Sequence, residues 1–138
     1  MMQYWLLKSE PETFGWDDLC RLGRDMWDGV RNHQAANNLR AMQVGDRAFF
    51  YHSVNEKRIV GIAEVVRTAY PDPTDDSGRF VVVDVTPVAP LPQPVTLQQI
   101  KDDPRLGHLA LVRQARLSVM PVDSEAWGLI CGWGGIAA

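Results

Sequence analysis

The sequence predicts a small α+β protein, a mixed β-barrel of five or six strands with short helices inserted. Helical patterns lie between the first two strand-like segments and do not alternate regularly with strands, which argues against a doubly wound sheet. With 138 residues, 46% hydrophobic and 22% charged, residues 1–138 have the size and composition of one globular domain. The segments rich in β-branched and aromatic residues are Tyr4–Lys8, Arg47–His52, Ile59–Val66, Phe80–Val85 and Leu117–Val122.

The first strand, Tyr4–Lys8, is an apolar and aromatic run that we expect to be buried on both faces. It ends before Ser9-Glu10-Pro11, because proline cannot donate to a β-ladder. A short helix is predicted over 15–22, with acidic residues in its first turn. Its buried stripe is predicted to consist of Trp16, Leu19 and Cys20, which makes Cys20 a core residue and not a nucleophile.

A second helix is predicted after the short strand or bend at Trp27-Asp28-Gly29. Asn32 is its predicted N-cap, since the side-chain oxygen can accept from a free amide of the first turn. Ala35, Leu39 and Met42 recur at helical spacing and give this helix a narrow buried stripe.

The middle of the chain is predicted to be mainly strand. A turn at Gly45-Asp46 precedes the second strand, and a polar hairpin at 54–58 leads into the third. Residues 70–78, rich in proline and aspartate, are predicted to form a surface loop before the central fourth strand. The prolines at 87, 90, 92 and 94 are predicted to form an extended connection out of that strand.

The last part of the chain is predicted to contain short helical elements, a final strand and a closing helix. A helical turn is predicted at 97–101 and a short apolar element at 109–112, and Pro121 places the final strand at a sheet edge. Asp123 or Ser124 can cap the closing helix, whose stripe is Trp127, Ile130 and Cys131. Residues 132–138 are predicted to fray.

Composition excludes several classes of function. The formal charge of -3 argues against a protein held on a duplex by many phosphate contacts. No apolar run approaches the roughly 18 residues that span a bilayer, and the N-terminus lacks the features of a signal peptide, so no membrane partner is expected. The two cysteines form no Cys-x-x-Cys pair, which together with these features predicts a cytoplasmic protein with reduced thiols. We also expect a monomer.

No metal site and no cofactor are predicted. His33, His52 and His108 share no ligand spacing. The glycines at 132–135 are not followed by the Lys-Ser/Thr pair of a phosphate-binding loop.

The stretch from Trp27 to Asn37 is the main candidate site. Trp27, Arg31, Asn32 and Asn37 are predicted near the start of the second helix, where amide hydrogens point outward. An exposed aromatic ring beside amides and a guanidinium can stack on a nucleobase and bind its edges. The same residues also fit a core tryptophan, a simple helix cap and a solvated arginine, and the sequence leaves both interpretations open.

Glu10 is the carboxylate whose neighbours in the sequence suggest a role in binding. It ends a buried strand and is held by Pro11, so it can accept a hydrogen bond from an exocyclic amine such as cytosine N4, unless it is simply a solvated loop residue. Ser9, His52 and an aspartate can be combined into a hydrolase triad, but no nucleophile-elbow pattern accompanies them.

The order of motifs in this chain resembles the EVE domain family. The segments that carry the resemblance are Tyr4-Trp5-Leu6-Leu7-Lys8-Ser9-Glu10-Pro11, Trp27-Asp28-Gly29-Val30-Arg31-Asn32 with Gln34-Ala35 and Asn37, Tyr51-His52-Ser53, Gly61-Ile62-Ala63-Glu64-Val65 and Arg116-Leu117-Ser118-Val119. The resemblance extends over nearly the whole chain. The resemblance implies a PUA-like β-barrel related to YTH domains, with a pocket for a modified base such as 5-methylcytosine.

The resemblance also assigns residues to that pocket: Ser9, Glu10, Trp27, Val30, Arg31, Asn32, Asn37, His52, Ser53, Gln114 and Arg116. The function it implies is a non-enzymatic module that binds a modified nucleobase in DNA or RNA, or a free modified nucleoside. Trp27 would stack on the base, Asn32 and Glu10 would bind its edges, Arg31 would meet a phosphate or sugar, and Val30 would contact a methyl group.

Two alternatives of other classes remain at this point. One is a small hydrolase or base-modifying enzyme that uses Ser9, His52 or Glu10. The other is an interaction domain whose exposed aromatic residues bind a peptide. Turnover of a substrate would indicate the enzyme, and failure of nucleosides to compete would indicate the peptide-binding domain.

Overall fold

Six strands form one mixed sheet in the computed structural model, which describes residues 2–137. The strands are β1 (Tyr4–Ser9), β2 (Asp25–Met26), β3 (Arg47–His52), β4 (Arg58–Pro71), β5 (Val81–Thr96) and β6 (Val119–Val122). Their order across the sheet is β2-β5-β4-β3-β1-β6. The predicted α+β class and the predicted number of strands are confirmed.

The helices are short and lie between or after the strands. They are α1 (Trp16–Leu22), α2 (His33–Ala41), α3 (Leu97–Asp102), α4 (Ala110–Arg113) and α5 (Ser124–Gly134), with a 3₁₀ turn at Pro104–Leu106. The segment between β1 and β3 contains α1, β2 and α2, and this long crossover allows β1 and β3 to pair in parallel. The other four strand pairs are antiparallel.

The sheet curls strongly because β4 and β5 are long and bulged. Register shifts interrupt the β4–β5 ladder at four places. In a flat sheet β2 and β3 would lie about 14 Å apart, three strand spacings. The ring of Trp27, directly after β2, nevertheless lies 5.3 Å from the ring of Phe50 in β3. Within residues 2–137, no ladder joins β2 to β6, so the curled sheet stays open between these edges.

The prediction that the prolines at 87, 90, 92 and 94 form a connection outside the sheet is wrong. They lie inside β5, which continues to Thr96. Within the described chain β2 pairs only with Asp84 and Val85, so the later part of β5 has β4 on one side alone. Proline is compatible with a strand edge and with bulges, and the sequence pattern does not distinguish such an edge from a connection.

The other sheet edge, β6, is protected against further strand pairing. Pro121 lies in this edge strand, as predicted, and removes a backbone donor. The side-chain amide of Asn38 in α2 donates to the carbonyl of Val119 at 2.8 Å. Helix α2 therefore covers part of the edge that a second strand would need.

Two predictions about helices need correction. Cys20 is exposed, because α1 has only seven residues and packs through Trp16 and Leu19 alone. Helix α5 does not fray at residue 132 but continues to Gly134, and Gly135 ends it in the left-handed region (φ 80°). Gly134 is buried, and a Cβ there would meet Leu91 at 3.0 Å, which shows how closely the helix end packs. Ala138 lies outside the described residues.

Gly61 of β4 gives a test of the packing between α1 and the sheet. A Cβ at this position would lie 2.6 Å from the ring of Trp16, so Gly61→Ala must displace the indole. We expect the free energy of unfolding to fall by about 1–3 kcal/mol, as in other overpacked cores. Urea denaturation measures this loss.

The matched control for Gly61→Ala is Gly128→Ala in α5. A Cβ at Gly128 meets nothing within 4 Å, so this substitution should be neutral or stabilise the helix by up to about 1 kcal/mol. Equal stability of the two variants would contradict the packing described for Trp16.

Candidate functional site

A cleft of about 350 Å³ opens at the carboxyl end of β1, and we call it the Trp27 cleft. Three of the residues that line it are apolar or aromatic, two carry hydroxyl groups, and three are charged. They are Phe14, Met26 and Trp27, then Ser9 and Thr13, then Lys8, Asp25 and Asp28. They come from β1, the turn after it and the segment around β2, so the curl of the sheet creates the cleft.

The turn after β1 forms one wall of the cleft. The backbone amides of Thr13 and Phe14 donate to the carbonyl of Glu10 at 3.0 and 2.9 Å. The hydroxyl of Ser9 donates to the carbonyl of Phe14 at 2.5 Å, which fixes the turn from the side of the strand. Pro11 starts this reversal, because it cannot continue the ladder.

Trp27 forms the apolar base of the cleft. The rings of Phe14 and Phe50 pack edge-to-face on it, with centroids at 6.1 and 5.3 Å. Its backbone amide donates to the carbonyl of Val83 at 2.8 Å. Trp27 is 7% exposed and packs against these two phenylalanines, so of the two interpretations that the sequence left open the structure shows the core tryptophan.

Asp72 organises the segment that follows Trp27. Its carboxylate accepts from the backbone amide of Gly29 and from the guanidinium of Arg31, both at 3.0 Å, and from the amide and hydroxyl of Thr74. Burial opposes ionisation of Asp72, but these hydrogen bonds from Thr74, Arg31 and Gly29 outweigh it and lower the pKa to about 2. The side chain of Asp72 is completely buried, although the sequence placed it in a surface loop.

Arg31 is held by this network and by an aromatic ring. Its guanidinium also donates to the hydroxyl of Thr74 at 3.0 Å and lies 5.5 Å from the centroid of Phe80. The carboxylate of Asp72 already neutralises the charge of Arg31. This arrangement fixes the backbone between Gly29 and Arg31, at the start of α2.

Helix α2 begins as the sequence predicts. The side-chain oxygen of Asn32 accepts from the amide of Ala35 at 2.9 Å, which is the geometry of an N-cap. Ala35, Leu39 and Met42 are buried, as expected. Asn37 lies on the exposed side of the helix, where its amide oxygen accepts from Arg40 at 2.9 Å.

His52 is engaged at both ring nitrogens. Its Nε2 accepts from the backbone amide of Trp16 at 3.0 Å, and its Nδ1 lies 3.0 Å from the carboxylate of Glu56. Since Nε2 is an acceptor, the proton of the neutral ring lies on Nδ1 and is donated to Glu56. The hydrogen bond from His52 is the main cause that lowers the pKa of Glu56.

Known proteins match this chain over almost its full length. The model of the EVE domain matches residues 3–133. The chain belongs to the EVE domain family. Thymocyte nuclear protein 1 of Mus musculus is 34% identical over 94% of this chain and 73% of its own length. The EVE domain structure described above superposes on a solved structure from Rhodopseudomonas palustris with a TM-score of 0.91, at 53% identity over 97% of this chain and 94% of that one.

A further solved structure contains a ligand. The human THYN1 protein, in complex with DNA that contains 5-methylcytosine, superposes on this EVE domain with a TM-score of 0.87. The two chains are 30% identical, and the match covers 99% of each. The family resemblance inferred from the sequence motifs is therefore confirmed.

This EVE domain brings only part of the predicted site to the Trp27 cleft. Ser9 and Trp27 line it directly, and Glu10 supplies the carbonyl that closes the adjacent turn. Ser53 lies beside β1, with its amide bonded to the carbonyl of Ser9 at 2.9 Å. Val30 is buried and does not line the cleft.

Gln114 and Arg116 are exposed in the loop between α4 and β6. The ammonium of Lys8 donates to the carbonyl of Ala115, between them, at 2.9 Å, so this loop lies beside the cleft. Lys8 also lies 5.8 Å from the ring centroid of Tyr51, and burial lowers its pKa. The loop and the cleft are thus connected through Lys8.

Sequence reasoning missed six residues of the cleft. They are Lys8, Thr13, Phe14, Asp25, Met26 and Asp28. Two of them, Lys8 and Asp28, lie within the motifs that carry the family resemblance, so these motifs could have indicated both residues as members of the site. Nothing local distinguishes the other four from ordinary turn and strand residues.

Within residues 2–137, no group of three or more His, Cys, Asp and Glu side chains is placed to hold a metal ion. None of the helices in the same range has both the length and the apolar character to cross a bilayer.

Proposed function

We propose that this EVE domain is a binding module that recognises a modified cytosine, such as 5-methylcytosine, in nucleic acid. The observation that carries the proposal is the match over 99% of the chain to the human THYN1 protein in complex with 5-methylcytosine-containing DNA. The Trp27 cleft supports it. A cavity of about 350 Å³ falls in the range of small-molecule sites and combines an apolar base with polar groups at its margin.

The base must leave the duplex to enter the cleft, because its edge and its face cannot both be reached within the stack. Ser9 and Trp27 are the predicted site residues that line the cleft. We propose that Trp27 and Phe14 contact the base through their exposed edges. The other predicted site residues do not line the cleft, and their part in binding stays a prediction: Glu10, Val30, Arg31, Asn32, Asn37, His52, Ser53, Gln114 and Arg116.

Hydrogen bonding around Ser9 and His52 supports binding without catalysis. The hydroxyl proton of Ser9 is donated to the carbonyl of Phe14, and the Nε2 lone pair of His52 accepts from the backbone of Trp16. A hydrolase that used Ser9 and His52 would need Nε2 of His52 to accept the hydroxyl proton of Ser9. In this structure each of the two groups is hydrogen-bonded to a backbone partner instead. We therefore propose a non-enzymatic role.

The charge and the architecture fit a module that binds one base. A formal charge of -3 favours few phosphate contacts, so the contacts within the cleft must supply most of the specificity. We propose that residues 1–138 act as one EVE domain, as a monomer, on DNA or RNA or on a free modified nucleoside. A cytoplasmic location remains a prediction from the sequence.

The test compares two DNA duplexes that differ in one methyl group. We expect the purified protein to bind a duplex with a single 5-methylcytosine about fivefold more tightly than the same duplex with cytosine, since one buried methyl contributes about 1 kcal/mol. Fluorescence anisotropy measures both affinities. Equal affinity for the two duplexes would contradict modified-cytosine recognition.

The same samples separate binding from catalysis. After incubation, the duplex is digested to nucleosides and analysed by mass spectrometry. We expect all of the 5-methylcytosine to be recovered unchanged. Sustained conversion that disappears in His52→Ala would establish the enzymatic alternative.

A further inference from the structure

The polar side chains that line the Trp27 cleft differ in how many of their hydrogen-bonding atoms are already bonded within the protein. Ser9 donates its only hydroxyl proton to Phe14, and one oxygen of Asp25 accepts from the adjacent amide of Met26 at 2.9 Å. Lys8 uses one of its three ammonium protons on the carbonyl of Ala115. Within residues 2–137, the carboxylate of Asp28 has neither a hydrogen-bond donor nor an ion-pair partner.

The backbone on both sides of Asp28 is fixed. Before it, the amide of Trp27 donates to the carbonyl of Val83 at 2.8 Å. After it, the amide of Gly29 donates to the buried carboxylate of Asp72 at 3.0 Å. Gly29 has a φ of 78°, a conformation that favours glycine, and it turns the chain directly after Asp28. The backbone that carries the Asp28 carboxylate is thus held at the margin of the cleft, and both carboxylate oxygens are available to a ligand.

We infer that Asp28 is the specificity-determining residue that accepts a hydrogen bond from the exocyclic amine of the bound cytosine. This inference rests on the proposed function, and it assigns to Asp28 the edge contact that the sequence assigned to Glu10 and Asn32. Asn32 uses its oxygen as a helix cap, and Glu10 does not line the cleft. Lys8, on the same cleft, offers donors that match the O2 and N3 acceptors of cytosine.

The chemical consequence is discrimination between two methylated pyrimidines. 5-Methylcytosine and thymine carry the same methyl group but differ at C4, where cytosine has an amine and thymine a carbonyl. A carboxylate attracts the amine and repels the carbonyl. The methyl group alone cannot separate these two bases, so the cleft needs an acceptor at this position.

The experiment measures the ratio of affinities for 5-methylcytosine and thymine. Each base is placed opposite the same mismatched partner in otherwise identical duplexes, so that both bases leave the stack with comparable ease. We expect the wild-type protein to prefer 5-methylcytosine and Asp28→Asn to reduce this preference by about tenfold, because the amide can donate to thymine O4. Asp76→Asn makes the same chemical change at an exposed aspartate outside the cleft and should keep the wild-type ratio.

The possible outcomes separate this inference from the proposed function. If the wild-type protein fails to prefer 5-methylcytosine over cytosine, the proposed function fails and the assignment of Asp28 fails with it. If the wild-type protein does prefer 5-methylcytosine over cytosine but Asp28→Asn leaves the ratio of affinities for 5-methylcytosine and thymine unchanged, only the assignment of Asp28 is overturned. A ratio that changes as much in Asp76→Asn as in Asp28→Asn also overturns it. Matching thermal unfolding curves confirm that the variants are folded, as expected for an exposed side chain.

Discussion

Replacing Trp27 by alanine should lower the free energy of unfolding by about 3–5 kcal/mol, the usual cost of removing a buried large aromatic side chain. Trp27 is 7% exposed and packs against the rings of Phe14 and Phe50. Its loss therefore removes apolar contacts and leaves a cavity at the base of the cleft. Urea denaturation followed by circular dichroism measures the change.

Two variants make this result interpretable. Trp27→Phe keeps an aromatic ring and should lose clearly less stability. Trp133→Ala removes a half-buried tryptophan at the end of α5 and should also cost less. If Trp27→Ala protein has an unaltered midpoint and binds at full strength, both the core role and the proposed contact with the base are refuted.

Asp72→Asn should lower the free energy of unfolding by about 2–4 kcal/mol at neutral pH. The substitution removes the charge that pairs with Arg31 and points an amide donor at groups that are themselves donors. Asp76→Asn, in the same loop but exposed, is the matched control and should change stability by less than about 0.5 kcal/mol. Equal stability of the two variants would show that the Asp72 network contributes little.

The pH dependence gives an independent measure of the same network. Hydrogen bonds lower the pKa of Asp72 from 3.8 to about 2, so the folded state binds its proton less tightly than the unfolded state does. The stabilisation is therefore complete above about pH 4, and it is lost as the pH falls from 4 towards 2; it amounts to about 2 kcal/mol. Asp75 also has a pKa of about 2, so the difference between wild type and Asp72→Asn isolates the contribution of Asp72. A difference that stays constant from pH 7 to pH 2 would contradict this account.

Local patterns in the sequence determined most of the secondary structure. The N-cap of Asn32, the buried stripe of α2 and the edge position of Pro121 were all predicted, because each depends on residues close together in the chain. The motifs around Ser9 and Trp27 also indicated the family, and these two residues do line the cleft.

Tertiary structure alone decided which residues line the cleft and which are buried. Asp72 and Asp76 lie in the same polar loop, yet only Asp72 is buried, because the amide of Gly29 and the guanidinium of Arg31 reach it from 43 and 41 residues away. Cys20 fits the helical stripe of α1, but the sheet covers only Trp16 and Leu19. Asp28 meets Lys8 and Ser9 at one cleft because bulges in β4 and β5 curl the sheet. Such bulges depend on pairing between distant strands, which local sequence patterns do not encode.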